Sequence, residues 1–232
     1  MRQIVGGAMG VWLIAASAAL AESEQGVVVE LYTSQGCSSC PPADELMAEI
    51  SDMPGVIGLA LHVDYWDYIG WKDTFGQAKF TERQRNYAHA SGDKMIYTPQ
   101  IIVDGGARLV GNEPAAVSRA IAAAAKVARP ITLSLAREGG KVVISGTTRQ
   151  ALPAGTTVQV VRYVDQQNVE IERGENAGLT MAYHNIVTSW QKVGDWSGAG
   201  PLNMVAEVGS GPVVVLVQSA GPREVLAAAR LK

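Results

Sequence analysis

Two nearly continuous runs of apolar and β-branched residues constrain the first half of the chain most strongly. "VVVELYT" covers Val27–Thr33 and "GVIGLALHVD" covers residues 55–64, and neither alternates like a strand with one solvated face. Such runs predict strands that are covered on both faces, as in parallel sheets. Between them, "PADELMAEI" places apolar residues on one helical face, with acidic residues in its first turn. Residues 27–64 are therefore predicted to form a strand–helix–strand unit with a parallel pair of strands.

Helical and strand patterns alternate as far as residue 128. "AKFTERQRNYAHA" has helical spacing, with Arg83 and Arg85 expected on its solvated face. "TPQIIVDGGARLVG" predicts an antiparallel hairpin, and "AAVSRAIAAAAKVA" predicts an alanine-rich helix. From Ile131 onward, short strand-like runs separated by Gly- and Pro-containing turns are typical of a β-sandwich. The sequence thus predicts an α/β domain over residues 26–128 and an all-β, sandwich-like domain over residues 130–232.

The first residues have the pattern of an export signal. Arg2 carries the positive charge, an uncharged run of apolar and small residues follows, and Ala19-Leu20-Ala21 is an A-x-A site. Residues 1–21 are therefore predicted to be a cleaved signal peptide, because the run is short for an uncleaved membrane anchor. We expect an exported protein, periplasmic or secreted, with no stable membrane insertion after cleavage, in a compartment where disulfides persist. The formal net charge of −3 provides no basic surface for nucleic acid.

Both cysteines of the chain lie in "CSSC", after a predicted strand and before a predicted helix. In that position backbone N–H groups favour the thiolate form of Cys37 and make it the attacking residue, while Cys40 is placed to resolve a mixed disulfide. Pro41 and Pro42 allow two arrangements. Either the first helical turn is irregular, or the regular helix begins near Pro41, where proline is tolerated. The second arrangement moves Cys37 away from the helix end and weakens the argument for its activation.

The order of these elements, with Thr98-Pro99 entering the hairpin, resembles the thioredoxin fold. The resemblance implies an α/β thioredoxin-like N-terminal domain, a cis proline at Pro99 beside the cysteines, and substrate binding by Thr98 and Pro99. The phrases "ELYTSQGCSSCPPAD", "HVDYWDYIGWKD", "YTPQIIVDG" and "GENAGLTMAYHNIV" are similar to a narrower family of secreted thioredoxin-like proteins of unknown function. We therefore expect a thiol–disulfide oxidoreductase without a cofactor. Its partners would be protein thiols and disulfides, together with a redox partner protein.

Two other functions of the cysteine pair remain open. Two thiolates suit Cu(I) or Zn in a metallochaperone or sensor, although a closed zinc site needs about four ligands. The three histidines, His62, His89 and His184, form no local ligand cluster, so we assign no metal ligands. The pair could also be a structural disulfide in a non-catalytic binding module. However, a bond across so short a loop removes little chain entropy, which favours the redox function.

A few further residues are candidates for the site. Asp64 ends the second strand on the same side as the cysteines, where it could assist proton transfer or cap the next turn. Trp66 follows it and could present an aromatic surface to a partner or fix its loop onto the domain. In the second half, the polar residues of "GENAGLTMAYHNIV", Glu175, Asn176, His184 and Asn185, are expected to make a polar contact between the domains. A hydrolase is poorly supported, because no G-x-S-x-G motif lies near them.

Overall fold

The computed structural model describes residues 23–232, so the predicted signal peptide over residues 1–21 lies outside the described residues. Within the described part, the chain forms three α-helices, one short 3-10 helix and twelve strands. The helices are α1 (Pro41–Asp52), α2 (Ala78–Ser91) and α3 (Pro114–Ala124), and the 3-10 helix is Asp67–Ile69. The strands are β1 (Glu24–Gln25), β2 (Val27–Thr33), β3 (Val56–His62), β4 (Gln100–Val103), β5 (Ala107–Val110), β6 (Ile131–Glu138), β7 (Lys141–Thr148), β8 (Thr157–Glu170), β9 (Thr180–Asp195), β10 (Leu202–Glu207), β11 (Val213–Gln218) and β12 (Val225–Leu231).

The predicted local units of the first half are present. β2 and β3, which α1 separates in the sequence, pair in parallel, with Val27 opposite Val56 and Thr33 opposite His62. All seven residues of each strand are buried, as their continuous apolar runs predict. β4 and β5 form the predicted antiparallel hairpin, and β4 pairs with β2.

The predicted division into a thioredoxin-like α/β domain and a separate sandwich-like β domain is wrong. The strands of both halves form one nine-stranded sheet in the order β1-β12-β11-β8-β9-β3-β2-β4-β5, and only β10, β7 and β6 form a second sheet among the described residues. The two halves join where β9 lies parallel to β3, with Ala60 opposite Ile186. A run of apolar residues predicts a buried strand but does not specify its neighbour, so the sequence could not show that β9 occupies this edge of β3. The limits 26–128 and 130–232 themselves stay predictions.

The large sheet is curled. Its edge strand β1 is joined to β2 by the single residue Gly26, although β2 lies near the other end of the strand order. Gly26 N donates a hydrogen bond to the carbonyl of Ala228 in β12 at 3.4 Å. One core lies on the face that α2 covers, and side chains from β2, β3, β8, β11 and β12 meet there. A second core lies between the sheet and helices α1 and α3, and a third lies under the three-stranded sheet. Packing therefore continues across the predicted domain boundary.

A buried ion pair ties α2 to the large sheet. The carboxylate of Glu30 in β2 is 0% exposed and accepts two hydrogen bonds from Arg83, at 2.7 and 2.8 Å, and one from the Tyr87 hydroxyl at 2.7 Å. The Arg83 guanidinium also donates to Gln218 of β11 and lies 3.7 Å from the ring centroid of Trp190 in β9. The prediction that Arg83 lies on a solvated face is therefore wrong. The negative charge of Glu30 is buried in the sheet and requires a paired cation, which Arg83 provides.

Candidate functional site

The cysteine pair lies in the loop that joins β2 to α1. The helix begins at Pro41, so the second of the two arrangements allowed by the prolines is present, with Cys40 as the N-cap residue. Cys37 lies in a separate turn, in which its N–H donates to Ser34 O at 3.1 Å and its carbonyl accepts from Cys40 N at 3.1 Å. Cys40, rather than Cys37, is therefore the cysteine closest to the positive end of the helix dipole.

Cys37 and Cys40 form a disulfide, with their Cα atoms 5.4 Å apart. Both are buried, and Cys37 is only 2% exposed, whereas Ser38 and Ser39 between them are exposed. The Ser39 hydroxyl lies 3.5 Å from the Cys37 sulfur. A partner thiol must therefore displace covering atoms before it reaches the Cys37 sulfur.

Trp66, Thr98 and Pro99 lie beside this loop. The Trp66 indole N–H donates to the Thr98 hydroxyl at 2.7 Å, and a methyl group at Gly36 would lie 3.3 Å from Trp66 Cβ. The Thr98–Pro99 peptide bond is cis. A methyl group at Gly111 would lie 2.9 Å from Pro99 Cβ and 3.2 Å from the Cβ of Ala43, in the first turn of α1. The structure thus brings these three predicted residues next to the cysteine loop.

The exposed part of this surface is aromatic. Tyr68 stacks on Trp66 with ring centroids 6.4 Å apart and is 79% exposed. Trp66 itself is half-buried, and Tyr97, which precedes Thr98, is exposed. Trp66 therefore both fixes its loop, through Thr98, and contributes to a surface beside the cysteines.

Asp64 follows β3, and its carboxylate has a local partner. It accepts a hydrogen bond from the Thr81 hydroxyl at 2.6 Å, and the backbone N–H of Asp64 lies 3.3 Å from the same hydroxyl. This pair joins the end of β3 to α2. A proton-transfer function of Asp64 stays a prediction.

Sequence reasoning missed a buried carboxyl group that lies closer to the pair along the chain. Asp44 follows Cys40 by one helical turn, is 3% exposed, and has its N–H bonded to Cys40 O at 3.1 Å. Burial raises the pKa of Asp44 to about 7, although the charge of His62 partly opposes the shift. Its signal in the sequence was the spacing, since positions 40, 43, 44 and 47 share the buried face of α1.

His62 and Asp73 form a buried pair near Asp44. His62 Nδ1 lies 2.7 Å from Asp73 Oδ2, and the other ring nitrogen of His62 has no partner among the described residues. Burial favours neutral forms of both groups. Their mutual attraction and hydrogen bond outweigh it, so the pKa of His62 is raised and that of Asp73 is lowered. His62 lies in the core, where its ring packs edge-on against Phe75 and Tyr183.

The predicted polar contact between the two halves is also present. The side-chain amide of Asn176 donates to two carbonyls of the cysteine loop, Gln35 O at 2.9 Å and Cys37 O at 3.0 Å. Asn185 donates to Gly58 O in β3 at 2.9 Å. Glu175 is exposed and His184 is half-buried in β9, opposite Gln166.

The structure of residues 23–232 also bears on other kinds of site. No group of three or more His, Cys, Asp or Glu side chains in this part of the chain is arranged to hold one metal ion. No helix in it combines the length and the apolar character that crossing a membrane requires.

The fold and the site define a class of β-rich protein that carries a buried C-x-x-C disulfide between a parallel strand and a helix. A family model described as "protein of unknown function (DUF1223)" matches residues 28–218, and the chain belongs to this family. The expected membership of a family of unknown function is thereby confirmed. No curated protein matches the sequence.

Two solved structures are similar to the chain. The X-ray crystal structure of a structural-genomics target protein from Agrobacterium tumefaciens is 32% identical over 88% of this chain and 93% of that one, with a TM-score of 0.77. The structure of HBP35 of Porphyromonas gingivalis is 12% identical over 89% of this chain and 74% of that one, with a TM-score of 0.57. At that identity the second likeness concerns the fold alone.

Proposed function

We propose that the protein is an exported thiol–disulfide oxidoreductase that acts on protein partners through Cys37 and Cys40. The observation that carries this proposal is the disulfide between the two cysteines where β2 gives way to α1. Trp66, Thr98 and Pro99 lie beside it. In the order of strand, C-x-x-C, helix and Thr-Pro segment, the site resembles those of the thioredoxin superfamily, although the complete sheet departs from that fold.

The short spacing of the cysteines supports turnover over a purely structural bond. A disulfide between residues three apart closes a loop of about four residues. In the chain-entropy model, this bond stabilises the folded protein by about 2 kcal/mol because it lowers the entropy of the unfolded chain. A bond that closes a 100-residue loop contributes about 4.7 kcal/mol. A chain with only two cysteines would gain more stability by joining distant segments.

The exchange reaction moves two electrons and two protons. When a partner is oxidised, its thiolate attacks the Cys37 sulfur, the Cys37–Cys40 bond breaks, and Cys40 leaves as a thiolate. A second partner thiolate then attacks the partner sulfur of the mixed disulfide, which forms the partner's disulfide and releases Cys37. The partner thiols lose two electrons and two protons, and the cysteine pair gains them. When a partner disulfide is reduced, the same steps run in reverse, and a redox partner protein with a dithiol restores the pair.

We propose that Asp44 supplies the proton that Cys40 takes as it leaves, and accepts it in the reverse reaction. Residues one helical turn apart have Cβ atoms about 5–6 Å from each other, and Asp44 lies on the buried face of α1, one turn after Cys40. With a pKa of about 7, its carboxyl group holds a proton for part of the time at neutral pH. Asp64 has Thr81 as its partner and is the second candidate for this step.

Trapping of mixed disulfides tests the proposed function. A Cys40→Ser variant, expressed with its export signal, should accumulate mixed disulfides with envelope proteins through Cys37, because the resolving thiol is absent. The Cys37→Ser/Cys40→Ser double variant is the matched control and should form none. Absence of adducts, together with no activity of the wild type in disulfide reduction and oxidation assays, would refute the proposal.

The burial of both cysteines favours a second candidate, a non-catalytic binding module with a structural disulfide. The reduction potential separates the two functions. A value near those of cellular thiol couples supports turnover, whereas a value below about −300 mV is typical of a structural bond.

A further inference from the structure

We infer that Asn176 is a positioning residue. It holds the cysteine loop, residues 34–40, in the geometry in which Cys37 and Cys40 re-form their disulfide. The effect on exchange with partner proteins rests on the proposed function. The effect on the reduction potential does not, since the potential of the cysteine pair is measurable whether or not the protein is an oxidoreductase. The second half of the chain thereby contributes to the site, because the β8–β9 connection, residues 171–179, contacts the cysteine loop.

Asn176 is built into the site. It is 5% exposed, and its amide nitrogen donates one hydrogen bond to the carbonyl of Gln35 and one to that of Cys37. The two accepting carbonyls belong to the Gln35–Gly36 and Cys37–Ser38 peptide groups, which enclose the two residues Gly36 and Cys37. A primary amide has two N–H donors, and both are used here. Asn176 therefore fixes the orientation of the two peptide planes that lead into and out of this short segment.

The connection that carries Asn176 is itself held in place. Ile171 and Leu179 pair at its base, with Ile171 N bonded to Leu179 O at 2.9 Å, and Leu179 N is bonded to Asn176 O at 3.2 Å. Gly174 has a φ of +80°, and a methyl group there would lie 3.1 Å from Trp71 Cβ, so the connection packs closely against Trp71.

Trp71 holds the same loop from a second direction. Its indole N–H donates to the side-chain oxygen of Gln35 at 2.8 Å, and the backbone N–H of Gln35 donates to Asp73 at 2.8 Å. Gln35 is thus bonded through its side chain, its N–H and its carbonyl. Asn176 adds the one restraint among these that reaches Cys37 itself.

This restraint has its largest effect after the disulfide is reduced. In the oxidised protein the S–S bond fixes the loop, whereas in the dithiol form the hydrogen bonds of the loop help its packing to keep the two sulfurs close. Asn176 therefore raises the effective concentration of one thiol at the other. A higher effective concentration makes the disulfide harder to reduce and speeds the attack of the Cys40 thiolate on a mixed disulfide at Cys37. In that attack the Cys37–Cys40 bond forms and the partner leaves as a thiolate.

The test measures the reduction potential of the wild type and of Asn176→Ala by thiol trapping in glutathione or dithiothreitol buffers. Loss of hydrogen bonds of this kind should lower the oxidation equilibrium constant roughly tenfold. For a two-electron couple this makes the potential about 30 mV less negative. Cys40 should also displace glutathione from Cys37 several-fold more slowly. Asn168→Ala, at an exposed position of the same hairpin, is the matched control and should leave both values unchanged.

Asn176→Asp separates hydrogen bonding from space filling. The carboxylate keeps the shape of the side chain but cannot donate, so its potential should rise at least as much as that of Asn176→Ala. A folded Asn176→Asp variant with the reduction potential of the wild type would overturn the inference. If Asn176→Ala does not fold, the potential of Asn176→Asp alone tests the inference. Failure of the wild type to exchange with proteins would refute the proposed function but not this difference in potential. A wild type that exchanges, with unchanged potentials in the Asn176 variants, would refute only the present inference.

Discussion

The buried carboxyl group of Asp44 should make the stability of the protein depend on pH in a way that one substitution removes. Burial raises the pKa of Asp44 from 3.8 to about 7, with His62 as its opposing charge and Asp73 and Glu45 as like charges. In the unfolded chain the group ionises near its ordinary pKa. Between these two values the native state keeps a proton that the unfolded state has released, so the free energy of unfolding falls as pH rises.

The size of this effect follows from the shift in pKa. Each pKa unit corresponds to about 1.4 kcal/mol, and a shift of about three units therefore costs about 4 kcal/mol above pH 7. Asp44→Asn keeps the shape and polarity of the group but does not ionise. The variant should match the wild type near pH 4 and become more stable than it, by up to about 4 kcal/mol, as pH approaches 7.5. This is an upper value, because His62 loses one of its two carboxylate neighbours in the variant.

Urea unfolding of the oxidised proteins at about pH 4.5, 6 and 7.5 measures this difference. Asp64→Asn is the matched control, because the Asp64 carboxylate is bonded to Thr81 at the end of β3 and is less buried. The difference in unfolding free energy between Asp44→Asn and the wild type should widen with pH. If the two proteins keep a constant difference from pH 4.5 to 7.5, the buried, proton-holding state assigned to Asp44 is refuted, and with it the proposed proton transfer to Cys40.

Two further substitutions test the packing of the sheet. Arg83→Met should destabilise the protein by about 3–5 kcal/mol, because it leaves Glu30 buried without its cation, and Glu30→Gln/Arg83→Met should recover most of the loss in denaturant unfolding. Gly105→Ala should cost more than about 3 kcal/mol or prevent folding, since its φ is +71° and its Cβ would overlap the backbone oxygen of Arg223 in the β11–β12 turn. Gly106→Ala, whose Cβ would meet its nearest atom at 3.8 Å, is the control and should yield folded protein with a melting temperature near that of the wild type. Unchanged stability of Arg83→Met or Gly105→Ala would contradict these assignments.

The parts of the fold that sequence reasoning predicted correctly depend on neighbours along the chain. The apolar runs of β2 and β3, the amphipathic face of α1 and the Asp-Gly-Gly turn between β4 and β5 each show within about fifteen residues. The pairing of β3 with β9 joins residues more than a hundred positions apart, and it depends on the shape of the whole sheet. Apolar patterns identify strands, but they do not specify which strand fills a given edge.

Charged residues inside predicted buried segments were the signal that could have revealed more of the site. Glu30 interrupts the apolar run of β2, and Asp44 lies on the apolar face of α1. A buried carboxylate must either meet a cation or keep its proton. Glu30 meets Arg83, whereas Asp44 has a pKa of about 7. The sequence marks such positions, but the choice between these outcomes depends on contacts from distant parts of the chain.

The site belongs to the joined sheet, because both halves complete it. Cys37, Cys40 and Asp44 come from one short segment around the start of α1, yet two carbonyls of the cysteine loop are bonded to Asn176 from the second half. β9 covers the edge of β3, whose last residue, His62, lies near Asp44. A change in the β8–β9 hairpin can therefore alter both the geometry of the thiols and the burial of the group that we propose exchanges a proton with them. On this reasoning, the C-terminal half tunes the chemistry of the cysteine pair even though it contributes neither cysteine.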